Sequence, residues 1–340
     1  MGRMRPVLKA LLCVAGLLLS KGRASEVFVF QQPHMGCLFT LKLVAANEQE
    51  AESASKAVSK RIEEIEQVCS DYRPDSESSL LGASAERQHE IKLSPDLLAL
   101  LVASEHWWQW SGGAFDVTLG PCTRLWRASR KSQTLPDSPT LTEALAATGF
   151  SKLHFSASAK TVRLDRAGMV LDFGGIAKGY ALDAATQLLQ TKFKLTHFLM
   201  DAGGQIAAMG CPPGKDAWHL VIEKLPEEND DAPDVVLKLS NAHLATSGDL
   251  NQKVTIGGNH YAHILDPKTG LGLTYTIQAS VIAEDGATAD ALATALCIMD
   301  ETEAKAKLVQ LPKVAARVLR QNADGRLHSW QTDNWRTYVK

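Results

Sequence analysis

Ala287-Thr-Ala-Asp290-Ala-Leu-Ala-Thr294-Ala-Leu-Cys297 sets two short oxygen-bearing side chains four residues apart in a stretch otherwise almost wholly apolar. On a helix, that spacing stacks Asp290 and Thr294 on one face. A carboxylate in such a surface is costly unless something cationic pairs with it. A hard divalent ion such as Mg²⁺ suits it, because Mg²⁺ takes few protein ligands and completes its shell with phosphate oxygens. An Asp near a helix start with a back-bonded Thr is the structural alternative, and the stretch by itself does not choose.

Around this helix the chain has 340 residues, 45% hydrophobic and 22% charged, enough for one large domain or two intimately joined ones. A net charge of −2 gives no reason to expect nucleic acid or an acidic membrane as partner. Residues 1–24 read as an export signal. Arg3, Arg5 and Lys9 precede an apolar run from Leu11 to Leu19, and Gly22-Arg23-Ala24 offers small residues for cleavage. The run is too short for a permanent span, a single-pass anchor being the alternative. Cys13 follows Leu11-Leu12, which does not suit lipoprotein processing. The expected product is a soluble, exported, periplasmic or extracytoplasmic domain over residues 25–340, with a soft subdivision near 150–170. Removing the signal leaves cysteines 37, 69, 122, 211 and 297, an odd number, so at least one thiol stays unpaired. No CxxC pair or Cys/His cluster has zinc spacing.

Apolar periodicity predicts strands at Val27–Phe30 and Leu38–Val44 and a long helix at Gln49–Ser70. Ser94 followed by Pro95 predicts a capped helix running to the Trp107-Trp108-Gln-Trp110 cluster and stopped by Ser111-Gly-Gly113. Arg127–Thr140 reads as a polar loop and Leu141–Ala147 as a short helix. Strands follow at Thr161–Leu164 and Met169–Asp172, then a helix at Gly175–Gln190. Further strands are expected at His197–Met200, Ile206–Met209, His219–Ile222, Val235–Leu239, His243–Ala245, Gln252–Ile256, Tyr261–Ile264 and Ile277–Ala283, with an acidic loop at 227–234. Thr302–Leu308 reads as a last helix. Runs of strands mixed with helices point to α+β, not to repeating βαβ units.

Three further runs carry chemistry. Leu171-Asp172-Phe-Gly-Gly175-Ile-Ala-Lys178-Gly-Tyr180 ends a strand, turns on glycines and opens a helix with a lysine in its first turn. Helix N-termini favour anions, and Lys178 adds a compact charge suited to phosphate. The run is neither a P-loop nor a dinucleotide fingerprint, so strand-to-helix punctuation stays open. Ser111-Gly-Gly-Ala114-Phe115-Asp116 places a flat ring beside a carboxylate, suited to a ring system with hydrogen-bonding edges. A helix C-cap with Phe115 in the core fits equally. His263-Ile264-Leu-Asp-Pro267 puts a histidine before a Pro-x-x-Gly turn, where it serves either as a base toward a hydroxyl nucleophile or as a hydrogen-bonded structural residue.

Together with Met35-Gly36, Ser70-Asp71-Tyr72, Asp201-Ala-Gly-Gly204 and Ala245-Thr-Ser-Gly248, these runs stand in the order found in one family. The chain resembles the ApbE-like FAD:protein FMN transferases from about Gln32 to Leu308. The resemblance implies an α+β fold of mixed and antiparallel sheets with packed helices, related to the T-fold. It implies Mg²⁺-dependent cleavage of FAD, transfer of FMN through its phosphate to a threonine hydroxyl of a target protein, and release of AMP. Carried over, the metal ligands are Asp290, Thr294 and the backbone carbonyls of Gly175 and Ala293. FAD contacts come from Met35, Tyr72, Ala114, Phe115, Asp116, Asp172, Lys178 and Ile264. His263 is the base, so His263 and Asp290 are the catalytic pair. Acceptors in such systems are redox-pump subunits or exported flavoproteins. An FAD pyrophosphatase yielding FMN and AMP, or a non-catalytic FAD-binding protein, would use the same residues.

The chain departs from the family pattern at Cys37, where Thr is usual, and at Leu80 and Gly82, where Arg and Asn often stand. Those two replacements weaken the case for polar contacts from that second loop.

Overall fold

The computed structural model describes residues 26–85, 89–222, 235–248, 254–321 and 326–340. The signal-like segment and the acidic loop at 227–234 lie outside them. The chain opens with β1 (Glu26–His34), β2 (Cys37–Ala45), α1 (Glu48–Cys69) and α2 (Glu77–Ser84). Then come β3 (Ile91–Lys92), α3 (Pro95–Trp110), α4 (Gly120–Ser132), α5 (Ser138–Ala146), β4 (Leu153–Ser156), β5 (Thr161–Leu164) and α6 (Ala177–Lys192). The second half holds β6 (Phe198–Asp201), β7 (Gln205–Met209), β8 (Trp218–Ile222), β9 (Val235–Leu239), β10 (Ala242–Gly248), β11 (Val254–Ile256) and β12 (Asn259–Tyr261). It closes with β13 (Ile277–Ala283), α7 (Gly286–Leu296), α8 (Glu301–Leu308), β14 (Ala315–Gln321) and β15 (Leu327–Gln331).

The main sheet has eight strands in the order β1-β2-β6-β7-β10-β13-β14-β15, and every pairing in it is antiparallel. This is the expected α+β class. One face packs against α1, α3, α6 and α7 in the larger core. On the other face Trp218, Leu237 and Trp335 close a second core over Leu199, Leu244 and Ile282. β13 is consequently buried along its whole length, unlike the half-wet strand common in antiparallel sheets.

Local chemistry explains the helices. In α1, Ala51, Ala54, Val58, Ile62 and Ile65 are buried at three- and four-residue spacing, and each isoleucine contributes about 1.5–3 kcal/mol on burial. Asn47 caps this helix by accepting from the Glu50 amide at 2.9 Å. Ser94 caps α3 at Leu97 N–H, with Pro95 in the first turn.

Three sequence expectations are corrected. Residues 127–132 are the last turns of α4, and α5 begins at Ser138, so the loop is short. Cys122, Trp126 and Ser129 bury one stripe of α4, while Arg124, Arg127, Arg130 and Lys131 give its other face a loop-like composition. Met169–Asp172 joins no ladder among the described residues; its Asp172 amide donates to the Val117 carbonyl at 2.7 Å. The ladder of β12 ends at Tyr261, so His263 sits on a bend, with Ala262 and Ile264 bonded backbone to backbone with Leu273. β14 and β15 extend the sheet beyond the last expected element. Among the described residues the five cysteines are thiols, none joined to another, and no helix is long and apolar enough to cross a membrane.

Candidate active site

α6 and α7 cross at two glycines. A Cβ on Gly179 would lie 2.0 Å from the Gly286 carbonyl oxygen, and one on Gly286 would lie 2.5 Å from that of Gly179. Only glycine at both positions permits this approach. Asp183 of α6 locks the crossing by accepting from the Gly286 and Ala287 amides at 2.6 and 2.9 Å, orphan donors at the start of α7. Burial still pushes the Asp183 carboxyl up to about 7, and it pushes the neighbouring His243 imidazole, 3.5 Å away, down to about 4.

The crossing delivers Asp290. Its side chain is 1% exposed. One carboxylate oxygen accepts from Gly179 N–H at 3.0 Å and the other from the Gln205 amide at 3.2 Å. Burial holds the carboxyl above the usual carboxylate range, and Lys178 is the charge that relieves it. One turn on, Thr294 Oγ1 lies 3.4 Å from Ser247 Oγ. A Cβ on Gly175 would sit 3.0 Å from Thr294 Oγ1 and 3.2 Å from the Phe115 ring. The glycine thus leaves its backbone open against both side chains.

These residues wall a cleft of about 680 Å³. It gathers ten of the expected site residues: Ala114, Phe115, Asp116, Asp172, Gly175, Lys178, His263, Ile264, Asp290 and Thr294. Phe115 belongs both to the core and to the cleft wall, so the two readings of its run hold together. Ser111 Oγ fixes it by accepting from the Phe115 amide at 2.9 Å. Asp116 accepts from the Thr118 amide and hydroxyl at 2.8 and 2.6 Å, and burial raises its carboxyl. Asp172 closes a tight turn by accepting from Gly174 N–H at 2.8 Å, which aims the glycines toward Lys178 at the start of α6.

Three expected residues do not line the cleft. Ala293 is wholly buried on α7 next to Thr294. Met35 sits in the two-residue turn between β1 and β2 with φ +47°, beside Gly36 at +75°. That is the geometry of a primed hairpin turn, unusual for a methionine. Its amide donates to Glu66 at 3.1 Å. The following Cys37 thiol donates to the Ala202 carbonyl at 3.4 Å, and a Cβ on Gly203 of the cleft wall would lie 3.3 Å from the Cys37 Cβ. Tyr72 is 75% exposed. The Arg127 guanidinium stacks over its ring at 4.1 Å, pairs with Asp71, and reaches the cleft-lining Asp172 at 3.4 Å.

Sequence reasoning missed Gln205 and Arg127. Gln205 orients Asp290, and its own carbonyl oxygen is buried without a hydrogen-bond partner. A polar residue opening an apolar strand, Gln205-Ile-Ala-Ala-Met209, was the available signal. Arg127 was hidden in the stretch read as a loop.

The all-oxygen donor set, the buried carboxylate and the backbone left open at Gly175 fit a hard divalent cation. A profile of the ApbE family matches residues 35–318. A Chlamydia muridarum protein named FAD:protein FMN transferase is 34% identical over 251 residues, spanning 72% of this chain and 75% of its own length. One of the same name from Treponema pallidum is 31% identical over 325 residues, spanning 91% and 89%. The structure of the flavin transferase ApbE from Vibrio cholerae superposes with a TM-score of 0.82 at 23% identity, over 93% of this chain and all of that one, a likeness of fold. Motif order, profile, relatives and fold agree, and the chain belongs to the ApbE family.

Proposed function

We propose that this protein is an FAD:protein FMN transferase that moves FMN from FAD to a threonine hydroxyl of an acceptor protein, in a Mg²⁺-dependent reaction releasing AMP. The meeting of Asp290, Thr294, Gly175 and Lys178 in one cleft, from segments more than a hundred residues apart, supports this most. Asp290, Thr294 and the carbonyl of Gly175 are the cleft-lining groups that would hold Mg²⁺. Bound there, the ion supplies charge neutralisation for the diphosphate of FAD.

The chain's own residues do the rest by positioning and electrostatics, as phosphoryl transfer requires. Lys178 meets the phosphates with a fixed positive charge at a helix start. Phe115 offers a flat apolar wall to a ring. His263, which also lines the cleft, accepts the proton of the acceptor hydroxyl. The acceptor oxygen bonds to the FMN phosphorus, the bridging P–O bond breaks, and AMP departs with that oxygen. The charged-then-apolar N-terminus supports action outside the cytoplasm, on a redox-pump subunit or an exported flavoprotein.

Incubating the protein with FAD, Mg²⁺ and a threonine-bearing acceptor tests the proposal. Covalent flavin on the acceptor is expected. AMP without labelled acceptor would indicate a pyrophosphatase, and intact FAD a carrier. His263→Ala is expected to slow transfer about 10²–10⁴-fold while leaving the FAD dissociation constant unchanged; unaltered transfer removes His263 as the base. Lys178→Ala is expected to weaken FAD binding about tenfold or more, by loss of a charge-assisted contact. Flavin fluorescence titration reads it, and an unchanged constant assigns Lys178 to solvent.

A further inference from the structure

Away from the cleft, one face of α1 meets the last residue of β1. Ser59, Glu63 and Glu66 fall four and three residues apart, so they share that face. His34 lies over them, with its side chain only 9% exposed. Its Nε2 is 2.9 Å from Ser59 Oγ. Its Nδ1 is buried, has no hydrogen-bond partner, and lies 4.0 Å from Glu63 Oε2. One atom from each of His34, Glu63 and Glu66 falls within 4.8 Å of the others.

Four ångströms is too long for a hydrogen bond, and leaving a buried nitrogen unpaired costs about 1–3 kcal/mol. It is, however, within about half an ångström of the separation that a bridging cation produces: bonds of about 2.0–2.2 Å at the tetrahedral angle hold zinc's ligand atoms about 3.3–3.6 Å apart. The neighbours are arranged for that occupant. Ser59 holds Nε2, which orients the ring and turns Nδ1 toward the carboxylates, as partners of metal-bound imidazoles do. Arg73 takes the other oxygen of Glu63 at 2.7 Å, leaving Oε2 facing His34.

We propose that His34, Glu63 and Glu66 form a second divalent-metal site, of zinc type, which ties the β1–β2 turn to α1. One imidazole nitrogen and two carboxylate oxygens select a borderline ion, whereas the all-oxygen donors of the cleft select Mg²⁺. The site does not depend on the flavin reaction. Its structural consequence reaches the cleft nonetheless. Glu66 also holds the Met35 amide in the strained turn, and the next residue but one, Cys37, braces Ala202 and Gly203. An ion on Glu66 stiffens that wall.

Isothermal titration of Zn²⁺ into tag-free protein carrying Asp290→Asn, which removes the carboxylate charge of the cleft, is expected to give one saturable site. His34→Ala and Glu63→Gln, each in that background, are expected to weaken it at least about tenfold, since even an outer partner's loss costs about 10–100-fold. Glu63 is 52% exposed, so Glu63→Gln keeps the fold, and circular dichroism verifies it. Mg²⁺ titrated in place of Zn²⁺ is expected to bind at least about tenfold more weakly. No saturable Zn²⁺ binding, binding that neither substitution weakens, or Mg²⁺ binding as tight as Zn²⁺ overturns the proposal.

Discussion

Asp290→Asn is expected to lower kcat for covalent flavin transfer about a thousandfold, or about 4 kcal/mol of barrier, while leaving the chelated protein at least as heat-stable as wild type. The two halves have one cause. A carboxylate that is 1% exposed, with burial opposing its charge, is a liability to the fold until a cation arrives. Asparagine keeps an acceptor for Gly179 N–H. Its amide can donate to the Gln205 carbonyl oxygen once that side chain turns over, so the number of hydrogen bonds between the two side chains is kept. Charge is then the only loss. Kinetics on a fluorescent acceptor and calorimetry in chelator read the two quantities. Activity within tenfold of wild type would remove Asp290 from the cation site. A fall in Tm of several degrees would make the carboxylate a structural anion instead. Asp290→Ala should be equally inactive and less stable, because it strands both donors.

Gly179→Ala is expected to destabilise the protein by about 3 kcal/mol or more, at the upper end of what overpacking costs. The added methyl would stand 2.0 Å from a backbone oxygen of α7, which cannot swing aside as a side chain end can. Separating the helices also pulls Gly179 N–H from Asp290 and stretches the hold of Asp183 on the α7 amides. Activity should therefore fall with stability. Urea unfolding monitored by tryptophan fluorescence measures the shift in midpoint, and a wild-type midpoint would mean that the crossing is loose.

Much of this was legible in the chain because local rules and the final packing agree. The buried spacing of α1, the Ser94-Pro95 start of α3 and the apolar run of β13 each match what their tertiary surroundings demand. The site was legible through glycines and charges at fixed offsets, which is why ten expected residues share one cleft. What escaped depends on partners distant in sequence. Met169–Asp172 has strand composition, yet among the described residues it pairs in no ladder. The four basic residues of α4 concealed the stripe formed by Cys122, Trp126 and Ser129. Gln205 acquires its role only when β7 passes under α7, and Arg127 only when α4 lies beside Asp71 and Asp172. No short window of sequence contains those meetings.

The bond between Gly179 and Asp290 spans 111 residues of chain. Contacts of such separation are slow to form, because the intervening loop entropy must be met first. A polypeptide emerging N-terminus first has completed its Gly174-Gly175 turn and Lys178 long before Asp290 and Thr294, the proposed cation ligands, exist. Biogenesis therefore runs through a dormant stage, and any product truncated ahead of Gly286 is inert by construction.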